Sequence, residues 1–221
     1  MEIRPVHIVL VAGLILGASL SLNLYLYFEG FYIKADNPST AKLKTVDLYY
    51  VNKSMFPMIV DTTIGETRIP VPGKINIFTP QYINCPDICH MESLILVYIM
   101  NKSVAEGFSS KLAFITVEVD PVGTNKTAII NYMKGIAGDL YDRIDWIWVT
   151  GDKEKLEKLW GQLGIKAQRD DDTGLVGHTA GFFIVDGDTG MIIYYVKPRT
   201  WDKPLDTAND LVGVIKDLLG R

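Results

Sequence analysis

The sequence predicts an α/β domain, a central mixed sheet with helices on both faces, preceded by one transmembrane helix. An uncharged apolar run lies near the N-terminus, and strand-like and helix-like periodicities alternate through the remainder. Late in the chain, two apolar runs flank the turn-rich segment Asp186-Gly187-Asp188-Thr189-Gly190, the mark of an antiparallel hairpin. With 221 residues, 48% of them hydrophobic and 22% charged, the chain beyond the apolar run is long enough for one domain with its own core.

Residues 6–28 contain no charge, and their polar interruptions are His7, Ser19, Ser21 and Asn23. About 20 apolar residues in a helix span a bilayer, whereas a signal-peptide core is usually about 7–15. The run therefore reads as an anchor, with a removable signal cleaved near Gly17, Ala18 and Ser19 as the alternative. Arg4 precedes the run, so the positive-inside rule places residues 1–5 in the cytoplasm and the globular domain on the extracytoplasmic side. Tyr25, Tyr27, Phe28, Phe31 and Tyr32 crowd the outer end like an interfacial aromatic belt. Residues 29–41 then form a linker and residues 42–221 the domain. The Asn-x-Ser/Thr sequons at Asn52, Asn101 and Asn125 are compatible with an external location.

Within the domain, residues 42–51 and 58–62 read as strands, with Gly65 as a turn. Pro70, Pro72 and Gly73 punctuate the chain before a buried strand at 74–79. A helix follows from Pro86 to about Ala105, with Ile88, Met91, Leu94, Ile95, Tyr98 and Ile99 recurring at three- and four-residue steps. Residues 111–119 form a second buried strand, 125–137 a helix, 145–150 a short strand and 152–163 a helix stopped by Gly164. Residues 180–185 and 191–196 form the hairpin. A last amphipathic helix, about 206–219, groups Leu211, Ile215, Leu218 and Leu219. Strand–helix–strand–helix followed by a hairpin and a helix is the thioredoxin-like order.

The formal net charge is −4, without long runs of either sign, and no basic face marks a nucleic-acid binder. The two cysteines lie together in Cys85-Pro86-Asp87-Ile88-Cys89, where the strand 74–79 gives way to a helix. Pro86 suits the first helical position, which puts Cys89 in the first turn and Cys85 at or just before the cap. Asp87 suits the positive helix end. Residues four apart on one helix face are within reach of a disulfide, and two thiolates there could equally clamp a metal ion. A helix N-terminus also lowers thiol pKa, favouring the nucleophilic and ligating form. A purely structural disulfide would more often close a long loop. Thiol redox chemistry and metal binding both remain open on these residues.

Thiolates select copper(I), zinc or iron–sulfur clusters. Structural zinc and iron–sulfur clusters usually require four ligands, whereas copper(I) is content with two or three. The ligand count favours copper. Of the three histidines, His7 lies in the apolar run, and His90 points about 100° around the helix from Cys89. His178 lies in a loop entering the strand 180–185, which a thioredoxin-like topology brings beside the cysteine helix.

These residues resemble the Sco/SenC family of copper-binding, thioredoxin-like proteins that assist assembly of the binuclear copper centre of cytochrome oxidase. The similarity covers most of the external domain. It rests on Tyr82-Ile83-Asn84-Cys85-Pro86-Asp87-Ile88-Cys89, on the strand ending Val119-Asp120-Pro121, and on His178 before Phe182-Phe183-Ile184-Val185-Asp186. The resemblance implies copper held by Cys85, Cys89 and His178. It also implies a copper-containing oxidase subunit as partner, and no small-molecule substrate. A membrane-anchored thiol–disulfide oxidoreductase using Cys85 and Cys89 as its catalytic pair is the alternative. Asp87 and Asp120 would lie near the site, although Asp120-Pro121 reads equally well as a strand-ending turn. Two positions depart from the family pattern: His90 stands where proline is common after the second cysteine, and Gly177 where an acidic residue often precedes the histidine. The latter removes a possible partner of the ligand.

Met55 and Met58 read as core residues rather than ligands. Asp170, Asp171 and Asp172 read as a solvated loop, and Trp146 and Trp148 as packing on one strand face. A peroxidase of the peroxiredoxin kind would need a threonine and an arginine beside its cysteine, and the surroundings of Cys85 do not supply them.

Overall fold

The computed structural model describes residues 32–34, 43–122 and 125–220. The chain divides into two compact units, Met1–Ile33 and Lys34–Arg221, and the elements from Val46 onward belong to the second. The apolar run 6–28 lies outside the described residues. Among those described, no helix is long and apolar enough to cross a membrane.

Strands β1 (Val46–Val51), β2 (Met58–Thr62) and β3 (Gly65–Ile69) precede β4 (Ile75–Gln81). Helix α1 (Ile88–Ala105) leads to β5 (Leu112–Glu118), and α2 (Lys126–Ala137) to β6 (Trp146–Thr150). After α3 (Lys153–Leu163) come two short strands, β7 (Ala167–Arg169) and β8 (Val176–His178). The hairpin β9 (Phe182–Asp186) and β10 (Ile192–Pro198) and helix α4 (Pro204–Leu218) complete the unit.

The main sheet runs β1-β10-β9-β4-β5-β6-β2-β3, with β7 and β8 forming a separate ribbon. β4, β5 and β6 are parallel, and the remaining pairs are antiparallel. The strand alternation divides the core. Ile77, Phe114, Trp146, Trp148, Phe182 and Ile184 join the cluster that also holds the apolar faces of α1, α2 and α4. Phe78, Ile115, Ile147 and Phe183, also buried, alternate with them and point to the other face. α3 supplies a separate stripe, Leu156, Leu159, Trp160 and Leu163, outside that cluster. This is the mixed thioredoxin-like architecture that the element order predicts.

Local signals act where expected. Asn125 and Asp152 cap α2 and α3 by accepting from the Ala128 and Lys155 N–H groups, and Gly164 ends α3 in the left-handed conformation. Asp186 Oδ1 accepts from the backbone of Asp188 and Thr189 to close the β9–β10 turn. Met55 is buried, and Trp146 and Trp148 lie in the core, as read from their patterns.

The structure corrects three readings. Gly65 is not the turn but opens β3, which pairs with β2 across the tight turn at Thr63-Ile64. The strand expected over 42–51 begins at Val46, with residues 43–45 outside it. The buried face of α1 comprises Cys89, Glu92, Ser93, Ile95, Leu96, Ile99, Met100 and Ser103, while Leu94 is 45% exposed. Apolar spacing misplaces this face because Glu92 and Ser93 are polar yet buried. Glu92 Oε1 accepts the Gly181 N–H, and the Ser93 hydroxyl donates to Gln81 and accepts from Tyr132.

Candidate metal centre

β4 delivers the cysteine segment to the C-terminal edge of the parallel strands. Beyond Gln81 the chain turns, and the Cys85 N–H donates to the Tyr82 carbonyl over 3.3 Å. α1 starts at Ile88, two residues after the proline expected to open it. Asp87 is the N-cap residue, with φ −125° and ψ −108° and no side-chain capping bond. The Tyr82–Cys85 turn takes up the residues that helical spacing would have used. Cys89 remains in the first turn, and its carbonyl accepts from Gln81 Nε2 at 3.1 Å.

His178 ends a strand rather than standing in a loop. β7 and β8 pair through Ala167–His178, Gln168–Gly177 and Arg169–Val176. Strands of three residues are too short to show alternation, so local sequence could not reveal them. Asp170 closes their connecting turn by accepting from the backbone of Asp172 and Thr173 and from the Thr173 hydroxyl. Those bonds hold the Asp170 carboxyl below its ordinary pKa. Asp120, 3% exposed, accepts from Arg169 Nη1 at 2.6 Å and thereby clamps the ribbon to the end of β5. Asp120 is thus tied into a structural ion pair, whereas Asp87 is exposed at the start of α1.

The fold brings Cys85, Cys89 and His178 together: one donor atom from each lies within 4.8 Å of the others. Both cysteines are free and buried, and Cys89 Sγ lies 3.4 Å from His178 Nε2. His178 Nδ1 lies 2.8 Å from the Thr179 carbonyl. A carbonyl can only accept, so Nδ1 carries the proton and the Nε2 lone pair faces the sulfurs. Burial lowers the His178 pKa, and the Thr179 bond opposes this in part. The Thr179 carbonyl therefore orients the ring without the acidic partner that Gly177 lacks. His90 does not join the cluster. It is exposed, with Nδ1 3.4 Å from the Tyr132 hydroxyl.

The expectation of a lowered thiol pKa fails at Cys89. Burial pushes it far above its usual value, and the nearby Glu92 and Cys85 push in the same direction. Desolvation outweighs the partial positive charge of the helix end. A soft cation at the site must therefore displace a proton from Cys89 as it binds. Two sulfurs and a neutral imidazole nitrogen, close together and partly shielded from water, are a donor set that suits copper.

Two buried carboxyls, Glu92 and Glu118, flank the base of this region and escape sequence reasoning. Burial raises both pKa values, that of Glu118 to about 8, with the Asp120 charge contributing to the latter. A carboxyl raised in the folded state favours the protonated fold. The stability it contributes is complete below the ordinary value near 4.5 and is lost as pH rises through about 8. Urea midpoints measured across this window are expected to fall with pH, and Glu118→Gln should flatten the decline. An equal decline in the variant would exclude Glu118 as its source.

Fold and donors together define a thioredoxin-like protein in which two sulfurs and one nitrogen could hold a metal ion. The SCO1/SenC family profile matches residues 63–213, more than half of the chain, and the chain belongs to that family. No curated protein matches the sequence. Among solved structures, a SCO1/SenC family lipoprotein from Bacillus anthracis is 16% identical with a TM-score of 0.63, over 77% of this chain and 97% of that one. Arabidopsis thaliana ScoI, solved with copper bound, is 20% identical with a TM-score of 0.58, over 75% and 98%. BsSco, a member of the Sco family of cytochrome c oxidase assembly proteins in which a disulfide switch was identified, is 17% identical with a TM-score of 0.54, over 74% and 95%. At these identities the likeness is one of fold.

Proposed function

We propose that the protein is a membrane-anchored copper metallochaperone that helps mature the binuclear copper centre of a terminal oxidase. Copper is the cargo, held by Cys85, Cys89 and His178. The observation that carries this reading is the convergence of those three donor atoms within 4.8 Å, with the imidazole presenting Nε2. Family membership and the copper-bound ScoI support it. Residues 6–28 anchor the domain on the extracytoplasmic side, which confines donor and acceptor to one membrane and raises their effective concentration. Acceptor thiolates then displace the two cysteines stepwise. Copper(I) titration of the full-length protein tests the site, with one equivalent expected and a stoichiometry near zero refuting it. Loss of oxidase activity in a deletion strain, restored by added copper, is the expected cellular result. Unchanged oxidase activity without added copper would remove the assembly role.

A second reading, thiol–disulfide exchange, is favoured by the two sulfurs being free and adjacent. One thiolate attacks an acceptor disulfide and releases its distal sulfur. The other cysteine then resolves the mixed disulfide, so the acceptor gains two electrons and two protons as Cys85–Cys89 oxidises. His178→Ala separates the readings, since it should damage copper binding, that of copper(II) above all, far more than exchange with a disulfide substrate.

A further inference from the structure

Tyr82 follows the last residue of β4, is 3% exposed, and touches both segments that supply the donors. On the cysteine side its carbonyl accepts the Cys85 N–H. On the histidine side its hydroxyl accepts the Val176 N–H at 3.2 Å, two residues before His178. Its ring meets the His178 imidazole edge-on, with centroids 5.9 Å apart and planes at 84°. The preceding residue, Gln81, holds the Cys89 carbonyl. Two successive residues at the end of one strand thus reach all three donor-bearing positions.

The β7–β8 ribbon stands outside the main sheet. Its pairing sets the position of His178 relative to Ala167 but not relative to the cysteines. The Arg169–Asp120 pair fastens the ribbon to β5, again without reference to the sulfurs. Tyr82 spans that gap, its carbonyl on the Cys85 N–H and its phenol on Val176 and the His178 ring.

We propose that Tyr82 is a positioning residue that fixes the His178 imidazole against the Cys85–Cys89 turn, and so sets the affinity of the site for copper(II). The inference rests on the copper reading above. Copper(I) is held chiefly by the two thiolates, whereas copper(II) relies more heavily on the imidazole. Phenylalanine keeps the ring and the backbone carbonyl but removes the oxygen that accepts the Val176 N–H. With that N–H left unpaired in a buried setting, the ribbon loses its tie to the turn.

The test compares full-length wild type and Tyr82→Phe, first without metal and then with each copper ion. In the metal-free proteins, NMR should show a Cys89 Hβ to His178 ring contact in wild type that weakens or disappears in the variant, together with faster exchange of the Val176 amide. With metal, copper(II) affinity should fall about 10- to 100-fold and the thiolate-to-copper(II) absorption band should shift, the loss typical of removing a group that orients a ligand. Copper(I) affinity and the melting temperature should stay close to wild type. An unchanged Cys89–His178 contact and copper(II) affinity would overturn the proposal. Parallel losses in both oxidation states with a lower melting temperature would overturn it too, because general loosening would then explain the effect. If wild type binds neither ion the copper reading falls, while the metal-free contact still decides whether Tyr82 holds His178.

Discussion

Serine in place of Cys89 is expected to weaken copper(I) binding by more than about a hundredfold, beyond the usual cost of losing a residue that merely supports a ligand. The variant retains one thiolate and one imidazole, and the softest part of the donor set is halved. Cys85→Ser should behave in the same way, because the two sulfurs belong to one cluster with His178 Nε2. His178→Ala should reverse the pattern, with a modest loss for copper(I) and a large one for copper(II). Competition against a chromophoric chelator measures all three variants, and an intact copper(I) affinity in Cys89→Ser would remove Cys89 from the ligand set. Wild-type binding should also strengthen as pH rises, since burial holds the Cys89 proton and copper must displace it.

Alanine at Gly181 is expected to cause the largest loss of stability at a single position near the site. Gly181 has φ +125°, and an added Cβ would lie 2.5 Å from the Val196 carbonyl oxygen and 3.2 Å from the Tyr195 ring. A disallowed backbone conformation costs about 1–3 kcal/mol, and forcing a methyl group against backbone adds a similar amount. The sum, roughly 3 kcal/mol or more, corresponds to a fall of about 10 °C in melting temperature for a domain of this size. The same residue donates its N–H to the buried Glu92 carboxyl and accepts from the Thr79 hydroxyl through its carbonyl. A shift there would unseat the acid beneath Cys89 and move the chain three residues after His178. Thermal unfolding of Gly181→Ala checks the prediction, and a melting temperature within a degree or two of wild type would refute it.

Most of the architecture was legible from local pattern. Short runs of β-forming apolar residues located β4, β5, β9 and β10, three-to-four-residue spacing located the helices, and the Asp186–Gly190 segment marked the hairpin, because these signals depend on neighbours in sequence. The clustering of Cys85 and Cys89 at a strand-to-helix junction was equally visible. His178 was readable as a partner only through the element order and the family resemblance. Its distance from the sulfurs is created by a ribbon too short to announce itself.

The sequence by itself determined the order of elements, the soft character of the donors and the presence of one histidine near the hairpin. Tertiary structure decided which face of α1 is buried, since Glu92 and Ser93 are accommodated by Gly181, Gln81 and Tyr132 from elsewhere in the chain. It decided that the Cys89 thiol is held protonated, because desolvation by distant segments exceeds the local effect of a helix end. It also supplied the Thr179 carbonyl as the partner of His178 and Tyr82 as the link between ribbon and turn. Each of these outcomes depends on burial and on hydrogen-bond geometry, which exist only once segments far apart in sequence have packed.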